Sequence, residues 1–286
     1  MTRDRPRRPP LGQNFLVDRG AAERVVEALG ASVGAPVLEI GPGRGALTGA
    51  LIARAGRICG VELDARLADA LRQRFSEAQL VLVREDVLRV ELAQAGPWLG
   101  WPPRTPLFVA GNLPYGISKP VARKLVDERE CVARAVLMFQ KEVADRLTAA
   151  PGQRAYAALT VLVSLTYEVL RLFDLPPTAF RPRPRVRSTV TRWMRRSPPP
   201  LDPSLEPRLL ACLAASFGRR RQTLHNNLRA KLGSAAESAR VLEAAGLDGS
   251  LRAECVPPDG FLALARAWPL APSRPQVVPR GRSGPG

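Results

Sequence analysis

Val37-Leu38-Glu39-Ile40-Gly41-Pro42-Gly43-Arg44-Gly45 sets the fold of this chain. Val37 to Ile40 read as a buried strand, the three glycines as a tight turn, and Ala46-Leu47-Thr48-Gly49-Ala50-Leu51-Ile52-Ala53 as a helix. Glycine carries no Cβ, so such a turn lets main-chain N–H groups approach a ligand near a helix start. Twenty-one residues after Gly41, Glu62 ends a second apolar run, Arg57-Ile58-Cys59-Gly60-Val61. In nucleotide-binding sheets an acid at that place holds ribose hydroxyls. The pattern implies a nucleoside ligand.

The dinucleotide fingerprint is G-x-G-x-x-G, with a pyrophosphate over the helix start. Here the spacing is G-x-G-x-G, and Glu39 stands two residues before the first glycine. An acid suits a cationic, phosphate-free ligand better than a pyrophosphate. S-adenosylmethionine, with an ammonium and a sulfonium, fits. A turn that binds nothing and an NAD-dependent oxidoreductase remain the competing readings of this stretch alone.

The chain has 286 residues, 45% of them hydrophobic, which allows a sizeable core and more than one domain. Its formal net charge is +17, from 43 bases against 26 acids, and nearly all of the bases are arginine. That excess points to RNA or DNA as partner. No stretch approaches the ~18 apolar residues of a spanning helix, so a membrane is excluded. Cys59, Cys131, Cys212 and Cys255 form no metal-like pair, and His225 is the single histidine. Zinc chemistry and a Ser-His-Asp triad are thereby excluded, and no metal is expected. The basic N-terminus lacks an apolar signal core, which implies a cytoplasmic protein.

Taken in order, 1–10 and 271–286 read as disordered tails rich in Arg, Pro and Gly. Residues 11–196 read as one α/β domain. Asp18 caps a helix from Ala21 to Leu29; strands follow at Ile58–Val61, Leu80–Val83, Leu107–Ala110 and Ala135–Phe139; helices span Leu63–Phe75 and Val121–Val126. Asp86 lies just past a strand end, on the ligand edge of a parallel sheet. Leu159–Leu172 reads as helix and strand, and Val190–Met194 closes the sheet. The alternation implies a mostly parallel sheet with helices on both faces. Gly96–Thr105 yields no reading. Ser197-Pro198-Pro199-Pro200 reads as a linker into a purely helical domain, 197–270, with helices at Leu205–Phe217, Leu224–Leu232, Ser238–Ala245 and Gly260–Trp268.

Asn112-Leu113-Pro114-Tyr115, at a strand end, carries the most specific chemistry. It suits methyl transfer to an exocyclic amine of a base. The lone pair of adenine N6 is delocalised into the ring, so that nitrogen is a poor nucleophile. A side-chain carbonyl and a main-chain carbonyl can each accept one of its hydrogens and favour the tetrahedral nitrogen formed on transfer. Proline fixes the backbone that presents the carbonyl, and an aromatic ring stacks on an unstacked base. A sulfonium methyl needs no strong base, so proximity and alignment supply most of the rate.

Gly12-Gln13-Asn14-Phe15-Leu16, Glu39-Ile40-Gly41-Pro42-Gly43, Glu62-Leu63-Asp64, Glu85-Asp86, Gly111-Asn112-Leu113-Pro114-Tyr115 and Gln140-Lys141-Glu142 resemble, in order and spacing, the ribosomal RNA adenine N6,N6-dimethyltransferase family. The resemblance runs from Gly12 to Trp268. It implies a class I, Rossmann-like methyltransferase sheet with a small all-helical C-terminal domain. It implies that Gln13, Asn14, Leu16, Gly41, Gly43, Glu62, Leu63, Asp86, Val87 and Asn112 hold S-adenosylmethionine, Glu62 at the ribose and Asp86 at the adenine amine. Asn112, Leu113, Pro114 and Tyr115 would frame the target adenine, with Phe180 as a second aromatic. Arg183, Arg185, Arg219, Arg220 and Arg221 would meet RNA.

The C-terminal region resembles the branch that dimethylates two adjacent adenosines near the 3′ end of small-subunit rRNA. Phe217 to Leu228 follows its F-x-x-R-R-K-T-L-x-N-x-L run, and Arg252-Ala253-Glu254 its R-A-E. Gln222 replaces the usual lysine, Arg187 stands where aspartate is frequent, and Arg181–Arg187 is unusually basic. The expectation is a monomeric enzyme acting on the immature small ribosomal subunit. The large-subunit branch that confers macrolide resistance, a DNA adenine methyltransferase and an RNA-binding assembly factor with little turnover are the alternatives.

Overall fold

The computed structural model describes residues 13–269; the tails expected to be disordered lie outside the described residues. The chain divides into two compact units between Leu201 and Asp202.

The first unit carries strands β1 (Phe15–Leu16), β2 (Val37–Ile40), β3 (Ile58–Val61), β4 (Leu80–Val83), β5 (Leu107–Asn112), β6 (Val132–Gln140), β7 (Tyr167–Leu175), β8 (Phe180–Arg181) and β9 (Ser188–Arg195). Seven of them form one sheet in the order β4-β3-β2-β5-β6-β9-β7. β4 through β6 are parallel, and β9 runs antiparallel to both β6 and β7. Helices Ala46–Ala55, Ala65–Arg74 and Ser118–Asp127 make the crossovers between parallel strands. All of β2 is buried, as a central parallel strand demands. The order reverses between β2 and β5, so the ends of these two strands flank the crevice where open α/β sheets bind ligands.

β9 was expected to close the sheet at its end. It lies inside instead, and β7 takes the edge. The difference follows from burial. Residues Ser188 to Thr191 and Trp193 of β9 are buried, whereas β7 exposes Glu168, Leu170, Arg171 and Asp174. A charged, half-wet strand is suited to an edge. β1 and β8 form a separate antiparallel pair, with Leu16 opposite Phe180.

The second unit holds helices Glu206–Ser216, Leu224–Leu232, Ala235–Ala244 and Pro258–Ala267, with no strand among the described residues. Leu209, Leu213, Leu228, Val241 and Phe261 are buried in it. Phe217 stacks on Phe261 with ring centroids 5.5 Å apart. Thr223 caps its helix by accepting from the Asn226 N–H. Arg219, Arg220 and Arg221 are exposed in the turn before that helix. The buried Asn227 side chain pins the turn, accepting from the Arg219 N–H at 3.2 Å and donating to its carbonyl at 3.1 Å.

β2 and β5 approach closely at the crevice. A Cβ added at Gly111 would lie 2.9 Å from the Ile40 carbonyl oxygen. Backbone cannot yield as a flexible side chain does, so Gly111→Ala should destabilise the chain by about 1–3 kcal/mol. Urea unfolding followed by circular dichroism measures this; an unchanged midpoint would contradict the close approach.

Candidate active site

The glycine turn is built as a bracket for one carboxylate. Gly41 and Gly43 have φ of +64° and +60°, left-handed values that an L side chain adopts only with strain. This conformation aims the Gly43 N–H at Glu62 Oε2, 2.9 Å away. Glu62 Oε1 accepts from the Asp64 N–H, also at 2.9 Å. Glu62 is therefore 2% exposed and fastened by the main chain as well as lining the cleft. Each oxygen keeps one acceptor position beyond those bonds. Two acceptors side by side match a vicinal diol.

Glu39 lies on the same cavity wall, 1% exposed, with the Thr48 hydroxyl donating to its Oε2 at 2.7 Å. Burial pushes its pKa up to about 8; the Thr48 bond opposes this and the neighbouring Glu62 charge adds to it. Without a ligand, Glu39 is mostly protonated at neutral pH. A cation in the cavity would favour the carboxylate.

On the other side of the switch point, Asn112 ends β5. Its Nδ2 donates to the Asn14 carbonyl at 2.8 Å, a bond across 98 residues. That bond sets the amide and leaves Oδ1 as its acceptor. Pro114, with φ −55°, turns the chain. Its carbonyl accepts from the Ile117 N–H at 3.1 Å and the Ser118 hydroxyl at 3.3 Å. The Tyr115 hydroxyl is buried towards Ser188 without completing a hydrogen bond, and burial raises its pKa. Asp86 follows β4, its Oδ1 accepting from the Leu88 N–H at 2.9 Å. Leu63 is 52% exposed, an apolar side chain left open at the cleft.

One cleft, with open space of ≈ 1140 Å³, brings these residues together. Gln13, Asn14, Leu16, Gly41, Gly43, Glu62, Leu63, Asp86, Val87, Asn112, Leu113, Pro114 and Tyr115 all line it. Phe180 does not. It is 1% exposed and packs in the core with Leu16, Leu175 and Ala179. Its pairing partner Leu16 draws the strand inward. Arg183 and Arg185 are exposed in the loop between β8 and β9. The sequence reading gave no role to Phe15, Arg44 or Ile117, which also line the cleft. Phe15 packs where a Cβ of Gly43 would be, at 3.0 Å, and the Arg44 guanidinium lies 4.7 Å from its ring centre. Its place beside two amides was the available signal.

The residues 5–266 match the family model described as ribosomal RNA adenine dimethylase. The chain belongs to that family. It is 42% identical to the ribosomal RNA small subunit methyltransferase A of Acidobacterium capsulatum, covering 91% of this chain and 90% of that protein. It is equally similar, at 42%, to the protein of that name from Magnetococcus marinus, with 93% and 92% covered. Among solved structures, the 23S rRNA methyltransferase ErmE is similar with a TM-score of 0.69 and 28% identity, over 89% of this chain and 99% of that one. A dimethyladenosine transferase from Plasmodium falciparum shares the fold, with a TM-score of 0.73 at 24% identity, over 87% and 95%. Adenine dimethylation of ribosomal RNA is the activity in that family's description. Among the described residues, no helix is long and apolar enough to cross a membrane, and no cluster of His, Cys, Asp and Glu could hold a metal.

The Glu39 shift has a testable sign. Its folded pKa is raised, so its contribution to stability is present below the ordinary value of 4.5 and is lost as pH rises through about 8. Urea midpoints of the ligand-free chain should fall more for wild type than for Glu39→Gln across that window. Parallel pH profiles for the two proteins would contradict a protonated Glu39.

Proposed function

We propose that this chain transfers methyl groups from S-adenosylmethionine to N6 of two adjacent adenosines near the 3′ end of small-subunit rRNA, on the immature small ribosomal subunit. The observation that carries the reading is the Asn112–Asn14 bond, which leaves the Asn112 carbonyl oxygen as an acceptor at the cleft. The small-subunit target is supported by relatives about 42% identical over nine-tenths of the chain. The likeness to ErmE, at 28%, favours large-subunit rRNA as the second reading.

The donor supplies a sulfonium-activated methyl. Glu62 would accept both ribose hydroxyls, Asp86 the adenine amine, and Leu63 and Val87 would hold the faces of that adenine. Glu39 would become ionised as the cationic ligand enters. The main chain of Gly41 and Gly43 lets the ligand lie close to the turn. The target base, taken out of its stack, would rest on Tyr115. Asn112 Oδ1 would accept one N6 hydrogen. The Pro114 carbonyl is already engaged, which leaves that of Leu113 as the main-chain acceptor. The pair draws the nitrogen towards tetrahedral geometry, and its proton leaves to solvent after transfer. Alignment does the catalytic work, which agrees with a site that contains no histidine or cysteine.

The helical unit, proposed as 197–270, would select the substrate, with Arg219, Arg220 and Arg221 meeting phosphates; Arg183 and Arg185 would do so from the first unit. A monomer working in the cytoplasm accords with this task. The test incubates the chain with methyl-labelled S-adenosylmethionine and either immature small-subunit particles or large-subunit rRNA, then maps the label. Two dimethylated neighbouring adenosines in the small-subunit RNA are expected. Label confined to large-subunit RNA would select the second reading, and binding without label would select an assembly factor. Asn112→Ala should lower turnover at least 100-fold, the scale of losing an aligned transition-state acceptor, while particle binding persists. Full activity in that variant would refute the amine-positioning role.

A further inference from the structure

Tyr115 borders two cavities. One is the cleft described above; the other, with open space of ≈ 600 Å³, lies beyond it and is lined by Tyr115, Gly116, Lys119, Gln140, Val143 and Arg146, among others. Tyr115 and Gly116 line both. The Tyr115 hydroxyl is buried, so its ring is part of the wall common to both. A Cβ added at Gly116 would meet nothing within 4 Å, so the space beside that wall is open.

The second cavity has the chemistry of a nucleotide site. Lys119 is exposed and has no acid partner among the described residues. Glu142 also lines the cavity and pairs with Arg146 at 3.4 Å; it is 85% exposed, so that pair is weak. Lys119 is left as unbalanced positive charge. Gln140 offers an amide that can read a base edge, and Val143 and Pro120 supply apolar wall.

An independent feature leads to the same place. Arg181-Pro182-Arg183-Pro184-Arg185-Val186-Arg187 puts an exposed arginine at every second position. The segment begins at β8, which pairs with β1 beside the first cleft. It ends where the Arg187 carbonyl accepts from the Lys141 N–H at 3.0 Å and Ser188 lies opposite Gln140. It thus runs from the rim of one cavity to the rim of the other. Arg183, Arg185 and Arg187 have no acid partner among the described residues.

We propose that the cavity beyond Tyr115 is a second nucleotide subsite, which holds the residue flanking the target adenosine. The inference rests on the proposed RNA adenine methylation and adds what that reading leaves open, namely how the strand is held on the far side of the flipped base. The Tyr115 ring would be wedged between target and neighbour. Lys119 and Arg146 would take the phosphate that joins the flanking residue to the strand, and Gln140 would contact its base. The arginine segment would guide the strand across both mouths. A strand binds with one polarity, so the subsite takes the neighbour on one side of the target only: when one of the two adjacent adenosines reacts its partner would fill the subsite, and when the other reacts a different residue would. The subsite therefore treats the two adenosines unequally and sets which is methylated first.

The test compares the wild-type chain with Lys119→Ala/Arg146→Ala, Gln140→Ala and the conservative Lys119→Arg on immature small-subunit particles, at saturating S-adenosylmethionine. Loss of two phosphate contacts should raise KM for the particle about 10-fold, with kcat changed less and cofactor affinity by calorimetry unchanged. Gln140→Ala should alter the ratio of methylation at the two adenosines, read by mass spectrometry of the RNA. Lys119→Arg should retain the wild-type KM. Wild-type KM in the double variant together with a wild-type ratio in Gln140→Ala would overturn the subsite. A parallel loss of cofactor affinity in these variants would also overturn it, by assigning their effect to the first cleft. Wild-type chain that leaves the particle unmethylated would overturn the reaction itself, and the subsite with it.

Discussion

The site depends on one buried carboxylate. Glu62 receives the N–H of Gly43 from the turn after β2 and the N–H of Asp64 from the turn after β3. These bonds tie two loops into one wall. A buried carboxylate is tolerable only when donors satisfy it, and here the main chain provides them. Close packing adds to the constraint, since a Cβ at Gly60 would come within 2.9 Å of the Pro42 ring. The left-handed glycines are thus required on two grounds. They give the Gly43 N–H its direction, and they keep the turn free of side chains where it lines the cleft.

The second wall hangs on a different bond. β5 brings Asn112 to the opposite side of the switch point, and the Asn14 carbonyl orients its amide. The two walls make a division of labour. The β2–β3–β4 side offers acids, which suit hydroxyls, an amine and a cation. The β5 side offers neutral carbonyls and an aromatic, which suit an exocyclic amine and the face of a base. No group with the usual equipment for strong proton transfer is needed when the methyl arrives activated. The raised pKa of Glu39 fits the same scheme, because a charge so deeply buried has no counter-charge until a cation enters.

Legibility in the sequence varied with the range of the interaction. The strand–turn–helix at Val37–Ala55 was readable because apolar runs, glycines and a helical pattern lie side by side. Asp18 as a helix cap was readable for the same reason. Gly41, Glu62, Asp86 and Asn112 could be grouped from the sequence because each ends or follows a strand on one edge of a parallel sheet. Non-local pairing was not readable. Nothing in Ser188–Arg195 says that it slips between β6 and β7, and the two-residue pair β1–β8 is too short to carry a period. That pair holds Phe180 in the core, behind Leu16 of the cleft wall. Arg219 to Arg221 showed their charge, but the turn that displays them is fixed by Asn227, eight residues from Arg219.

The central claim is that Glu62 both fastens the glycine turn and presents two acceptors to the ribose of the methyl donor. The most direct measurement is calorimetric titration of S-adenosylmethionine into wild type and Glu62→Gln, with thermal unfolding recorded for each. The amide keeps one acceptor and replaces the other with a donor, so one main-chain N–H loses its partner. The account predicts 10- to 100-fold weaker binding, about 1.5–3 kcal/mol for charged hydrogen bonds, together with a lowered melting temperature. Wild-type affinity in a variant that melts earlier would contradict it, for Glu62 would then be a fastening of the turn and no part of the ligand site.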